Sequence, residues 1–161
     1  MTTLSPEIDP LALEHQVCFA LAVTNRAVLA VYRPLLEPLG LTHPQYLVML
    51  ALWDHRKSDS GAAALSVKQI AVALQLDSAT LSPMLKRLEA LGLITRARSA
   101  VDERATDVEL TAEGEALRTR ALDIPPAVVA RLGVDLTELE ELRRVLTRVN
   151  AAALAAGALD A

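Results

Sequence analysis

The segment Asp77-Ser78-Ala79-Thr80-Leu81-Ser82-Pro83-Met84-Leu85-Lys86-Arg87-Leu88-Glu89-Ala90-Leu91-Gly92 decides the fold. Asp77 is a good helix N-cap, and Gly92 suits the left-handed stop after the last turn. Leu81, Met84, Leu85, Leu88 and Leu91 recur at helical spacing and predict one buried stripe. The other face offers Ser78, Ala79, Thr80, Ser82 and Pro83, then the cations Lys86 and Arg87. Short hydroxyls let a helix end approach base edges closely, and the helix N-terminus favours phosphate. Pro83 predicts a mild kink, because the apolar stripe continues past it.

Upstream, Ser66-Val67-Lys68-Gln69 forms a capping box that opens a short helix through Leu74. Downstream, Leu93 to Arg96 and Thr106 to Leu110 alternate as strands around the charged turn Val101-Asp102-Glu103-Arg104. Helix, turn, helix and a two-stranded hairpin predict a winged helix-turn-helix. The hairpin carries Arg96, Arg98 and Arg104, and an arginine at its tip suits the narrow minor groove. Asp102 is placed to orient Arg104. An amphipathic helix and a solvated surface hairpin with no DNA role would leave the same pattern.

The flanks read as helical. Leu11 to Leu36 is apolar on more sides than a surface helix needs, which predicts a subunit interface, with Pro34 and Pro38 marking its end. Thr42 and Gln45 form a second capping box before an apolar run to Trp53, and Asp59 to Ala63 reads as a flexible connector. Thr111 caps a helix broken at Asp123-Ile124-Pro125-Pro126, and a last helix over Leu136–Leu154 carries Leu139, Leu142, Leu146 and Val149 on one stripe. Residues 1–10 read as loose. The expectation is a mainly α chain with a small β-hairpin wing (α+β). An arm and dimerisation helix would occupy 1–40, the DNA-binding domain 41–111, and further dimerisation helices 112–161.

Composition agrees. Of 161 residues, 52% are hydrophobic and only 2% aromatic, too few rings to stack single-stranded nucleic acid. Net charge is −4, yet Ser66 to Thr106 carries six Lys and Arg against four Asp and Glu, so an acidic body holds a locally basic middle. One cysteine rules out an internal disulfide framework. No metal or cofactor is called for. The N-terminus lacks a signal-peptide order, and the run from Val17 to Val31, interrupted by Asn25-Arg26, reads as too short to cross a bilayer. A cytoplasmic protein without a membrane partner is expected.

Several stretches resemble the MarR family of dimeric winged-helix repressors, and within it the OhrR branch of organic-hydroperoxide sensors. They are Gln16-Val17-Cys18-Phe19, Tyr32-Arg33-Pro34-Leu35-Leu36 and Pro44-Gln45-Tyr46-Leu47. Leu81 to Glu89, Gly92 to Arg96, Asp102-Glu103-Arg104 and Asp123-Ile124-Pro125 follow. The resemblance spans about Gln16 to Ile124. It implies a homodimer joined by its terminal helices, reading a pseudo-palindromic operator. It also implies that Cys18 is the peroxide sensor and that Tyr32 hydrogen-bonds its sulfur. Cys18 and Tyr32 lie fourteen residues apart. On a continuous helix that is roughly 21 Å, so the tyrosine can meet only the other subunit's cysteine. Ala22 and His43 stand where the branch often has tyrosines. His43 can replace a lost hydrogen bond or, protonated, favour the thiolate.

The expected pocket is Cys18 with Tyr32, His43, Phe19, Ala22 and Trp53, its apolar members favouring an organic peroxide. Without a second cysteine, oxidation ends in a mixed disulfide with a small cellular thiol or in over-oxidation. Three rivals remain on sequence alone. They are a MarR-type regulator of a small aromatic ligand with Cys18 incidental, a thiol peroxidase, and an all-helical interaction module.

Overall fold

The computed structural model describes residues 9–58 and 64–159. The expected connector Asp59 to Ala63 and most of the expected loose N-terminus lie outside the described residues. A 3-10 turn at Leu13–His15 precedes helix α1 (Val17–Leu36), and a second, Glu37–Leu39, follows it. Then come α2 (His43–Ser58), β1 (Leu65–Ser66), α3 (Val67–Leu74) and α4 (Ser78–Ala90). The wing strands are β2 (Ile94–Arg98) and β3 (Thr106–Leu110), followed by α5 (Ala112–Ala121), α6 (Ile124–Leu132) and α7 (Leu136–Ala155).

The caps form as their sequences require. The Ser66 hydroxyl accepts from the Gln69 amide at 3.1 Å, and the Gln69 side chain accepts from the Ser66 amide at 2.8 Å. Thr42 and Gln45 pair in the same way at 3.4 and 3.0 Å. Asp77 accepts from the Thr80 amide at 2.6 Å to start α4, and Gly92 at φ +76° follows its end. That left-handed backbone favours glycine. Pro83 sits inside an unbroken helix.

Five expectations are corrected. The wing is a three-stranded antiparallel sheet ordered β1-β3-β2, with Leu65 opposite Val108, rather than a bare hairpin. Leu91 is half exposed because α4 ends before it, so the buried stripe is Leu81, Leu85 and Leu88 with Met84 at its margin. The first helix starts at Val17 rather than Leu11, since Gln16 is extended. Pro34 lies inside α1 instead of ending it, because the missing donor affects only the last turns. Val17–Leu39, at 23 residues and mean hydropathy 1.2, is long and apolar enough to cross a membrane, so the break at Asn25-Arg26 does not shorten it as expected.

The core gathers Val48, Met49, Leu52 and Trp53 of α2 with Ile70, Leu81, Leu85, Leu88, Ile94 and Val108. Leu36, Leu117, Ile124 and Val128 extend it toward the flanking helices. Those helices are barely covered. Only Leu36 of α1 and no residue of α7 is buried, and the expected α7 stripe leaves Leu142 and Val149 each 47% exposed. Amphipathic helices this bare need a partner surface.

Candidate DNA-binding face and thiol site

A concave patch joins three elements that the sequence places far apart. Ser66 and Lys68 at the start of α3, Ser78 and Ser82 of α4, and Arg104 and Thr106 of the wing all line it. Along α4, Ser78, Ala79, Thr80, Ser82, Pro83, Lys86 and Arg87 are exposed, as expected of a reading face. Lys68 is a cation on this surface that the sequence reading missed. Its position in the first turn of α3 was the available signal.

Not every expected residue is free to act there. The Thr80 amide is committed to Asp77, and that bond holds the Asp77 carboxyl below its ordinary range. One N-terminal donor of α4 is therefore closed to phosphate, while the Thr80 side chain stays outward. Arg96 lines the same patch and is also an anchor. Its guanidinium forks onto Glu89 at 3.2 and 3.1 Å, and its amide donates to the same carboxylate at 3.1 Å. The pair straps β2 to α4 and holds Glu89 below the usual carboxylate range. Asp102 does meet Arg104, through the backbone: its carboxylate accepts from the Arg104 amide at 3.0 Å and shapes the tip, leaving the guanidinium to solvent. Arg98 and Arg104 are exposed and make no ion pair among the described residues.

The thiol site is divided. Cys18 is exposed in the first turns of α1, with Phe19 and Ala22 beside it on the same helix. Tyr32 sits at the other end, where its ring meets His43 edge-on at 4.9 Å and Tyr46 at 6.1 Å. Because α1 is unbroken from Val17 to Leu36, Cys18 and Tyr32 of one chain stay roughly 21 Å apart. Tyr46 is a member the sequence reading missed, although its i+3 spacing from His43 puts both on one face of α2.

Trp53 stands apart from the Tyr32–His43 ring contact, although it lines one cleft with Tyr46. It lies ten residues past His43 on α2, roughly 15 Å away, and its indole donates to the Gly114 carbonyl at 2.9 Å in the core. Burial pushes the Tyr32 and Tyr46 phenols up and His43 down, with the Tyr32 charge adding to the rise at Tyr46. At neutral pH the cluster thus offers two protonated phenols and a neutral imidazole, which favours the first of the two roles expected of His43, a hydrogen-bond donor.

A histidine whose folded pKa lies below its unfolded value gives stability that is fully present above the unfolded pKa of about 6.5 and is lost as pH falls from there through the lower folded pKa. Replacing His43 with phenylalanine should flatten the fall of melting temperature between roughly pH 7 and pH 5. Thermal melts across that range check this, and an unchanged slope would remove His43 as its source.

A family model described as transcriptional regulator SarA/Rot matches residues 30–120. The chain is 43% identical over 137 residues to the organic hydroperoxide resistance transcriptional regulator of Bacillus subtilis (strain 168), across 83% of this chain and 88% of that protein. It is similar to reduced AbfR bound to DNA, with 31% identity and TM-score 0.71 over 87% of this chain and 91% of that one. The disulfide-formed state of AbfR matches with TM-score 0.58 over 87% and 88% of the two chains, again at 31% identity. With the winged fold, the exposed reading helix and these relatives together, the chain belongs to the MarR family of transcriptional regulators, in its OhrR-like one-cysteine branch, as a dimeric DNA-binding repressor and not an enzyme.

Proposed function

We propose that this repressor leaves its operator when an organic hydroperoxide oxidises Cys18. The observation that carries the reading is the division of the thiol site by an unbroken helix. A Tyr32–His43–Tyr46 cluster and a thiol that cannot meet within one chain are complete only across a dimer whose first helices cross antiparallel. Segments 1–40 and 112–161 then dimerise, which covers the bare faces of α1 and α7, and 41–111 reads a pseudo-palindromic duplex. The apolar length of α1 serves that interface, and the protein works in the cytoplasm.

In the reaction, the Cys18 thiolate attacks the distal peroxide oxygen. An S–O bond forms, the O–O bond breaks, and the departing alkoxide takes a proton to leave as alcohol. Sulfur is oxidised by two electrons to sulfenic acid. A small cellular thiol then condenses with it, forming S–S and releasing water. Tyr32 and His43 supply hydrogen bonds to the sulfur, and Phe19 with its neighbours favours an alkyl group. The adduct adds bulk at a packed seam and shifts the spacing of the two reading helices.

The test treats the dimer with an alkyl hydroperoxide, with and without a small thiol, and follows intact mass beside operator binding. Gain of one oxygen, or of one thiol less two hydrogens, should accompany release. Release without a change at Cys18 would overturn the reading. Hydrogen peroxide should need a higher concentration.

The wing carries a second expectation. Arg98→Ala and Arg104→Ala should each weaken operator binding and lower the slope of log affinity against log salt by about 0.9 for each phosphate no longer neutralised. Arg96→Ala should instead loosen the wing through Glu89, which thermal melts detect. A salt slope unchanged in both wing variants would take the wing off the DNA.

A further inference from the structure

We infer that the cleft between α2 and the α5–α6 joint seats the N-terminal arm, residues 9–16, of the partner subunit. This rests on the crossed dimer of the proposed function. The cleft holds about 210 Å³. Tyr46 and Trp53 line it, with Leu50 and Leu122 at its edge 39% and 56% exposed. The arm has the matching problem, since its Leu11 and Leu13 are 86% and 62% exposed.

Three observations join them. The first is continuity: Tyr46 belongs both to the cluster that would face the partner's Cys18 and to the lining of the cleft. The partner chain just before its Cys18 therefore arrives at the cleft mouth. The second is direction. Gln16 is extended, at φ −86° and ψ 120°, so the arm leaves the axis of α1 instead of prolonging it past Tyr32. Five residues separate Leu13 from Cys18, a reach of about 10 Å at 3-10 rise, while Leu50 lies roughly 6 Å along α2 from Tyr46. The chain's own arm is excluded, because the rigid run from Val17 holds it more than roughly 20 Å away from Tyr32.

The third is charge. Lys57 and Arg118 line the cleft without an ion pair among the described residues, against the single acid Asp54. The arm carries Asp9 and Glu14 with one histidine. A basic-rimmed apolar cleft and an acidic arm with two bare leucines are complementary, and each subunit of the dimer supplies one of each. The arm then clamps the reduced dimer from the residues adjoining the sensor thiol, so an adduct on Cys18 pulls directly on it.

Disulfide trapping tests this in a Cys18→Ser dimer. Leu13→Cys is combined with Leu50→Cys or with Leu122→Cys, and each single variant is the control. Mild oxidation should convert at least one pair to a covalent dimer that the single variants do not form. A second readout uses Leu122, 56% exposed in the single chain. In the Cys18→Ser dimer a Leu122→Cys thiol should react slowly with a maleimide, and Leu13→Asp should speed that labelling while the dimer persists in sedimentation. No covalent dimer from either pair, or labelling that Leu13→Asp leaves unchanged, overturns the arm placement. If wild-type protein still releases DNA with alkyl hydroperoxide, the placement alone fails. If the chain sediments as a monomer, the placement and the crossed-dimer reading fall together.

Discussion

Cys18→Ser is expected to abolish release of the operator by alkyl hydroperoxide while leaving affinity within about twofold, since a near-isosteric exposed change costs within about 0.5 kcal/mol. Oxidised wild type should fall toward its non-specific affinity, roughly three decades or more weaker. The contrast is large because serine keeps the shape of the side chain and loses its chemistry. An alcohol at that position has no thiolate to attack the peroxide and forms no mixed disulfide. The winged domain does not depend on residue 18, which is exposed and is not among the residues lining the concave DNA patch. Anisotropy of a labelled operator duplex at one fixed salt concentration measures both numbers. Unchanged induction in the variant would hand the response to a small aromatic ligand. Lost DNA binding without oxidant would make Cys18 a structural residue of the dimer.

What the sequence disclosed follows the range of the forces involved. Asp77, Ser66 with Gln69, and Gly92 act within one helical turn, and all form as their sequences require. The separation of Cys18 from Tyr32 was legible because helix rise is a fixed length. The third strand was not, since two residues, Leu65 and Ser66, are too few to alternate and run straight into α3. The anchoring role of Arg96 was hidden because its partner Glu89 lies on another element, and only the packing of β2 on α4 brings them together. Trp53 and Tyr46 exchanged roles for a related reason. Both are apolar positions of α2, and which of them faces the core contact at Gly114 is decided by where α5 lands.

Gly114→Ala should destabilise the protein by about 2–4 kcal/mol, the reverse of what helix propensity predicts. Alanine is favoured over glycine inside a helix by about 1 kcal/mol. Gly114 is buried in the first turn of α5, however, and a Cβ there would fall on the backbone carbonyl oxygen of Leu93, with the Leu110 side chain at 3.2 Å. That carbonyl cannot give way cheaply, because it accepts from the Thr111 amide at 3.0 Å. The neighbouring Gly92 carbonyl is held by the Thr111 hydroxyl at 2.6 Å. So α5 has to move instead, and moving it pulls the Gly114 carbonyl from the buried Trp53 indole and leaves a donor unpaired. Overpacking costs about 1–3 kcal/mol and an orphaned buried donor about the same, which together outweigh the gain in propensity. The joint also transmits force, since α5 leads from the wing to α6 and α7. Operator binding should therefore weaken alongside stability. Trp53→Phe, which removes the bond and keeps the bulk, should cost only the smaller share. Thermal melts at equal protomer concentration compare the two, as dimer stability depends on concentration. A melting temperature raised by Gly114→Ala would mean that α5 does not pack this closely on the strand that begins the wing.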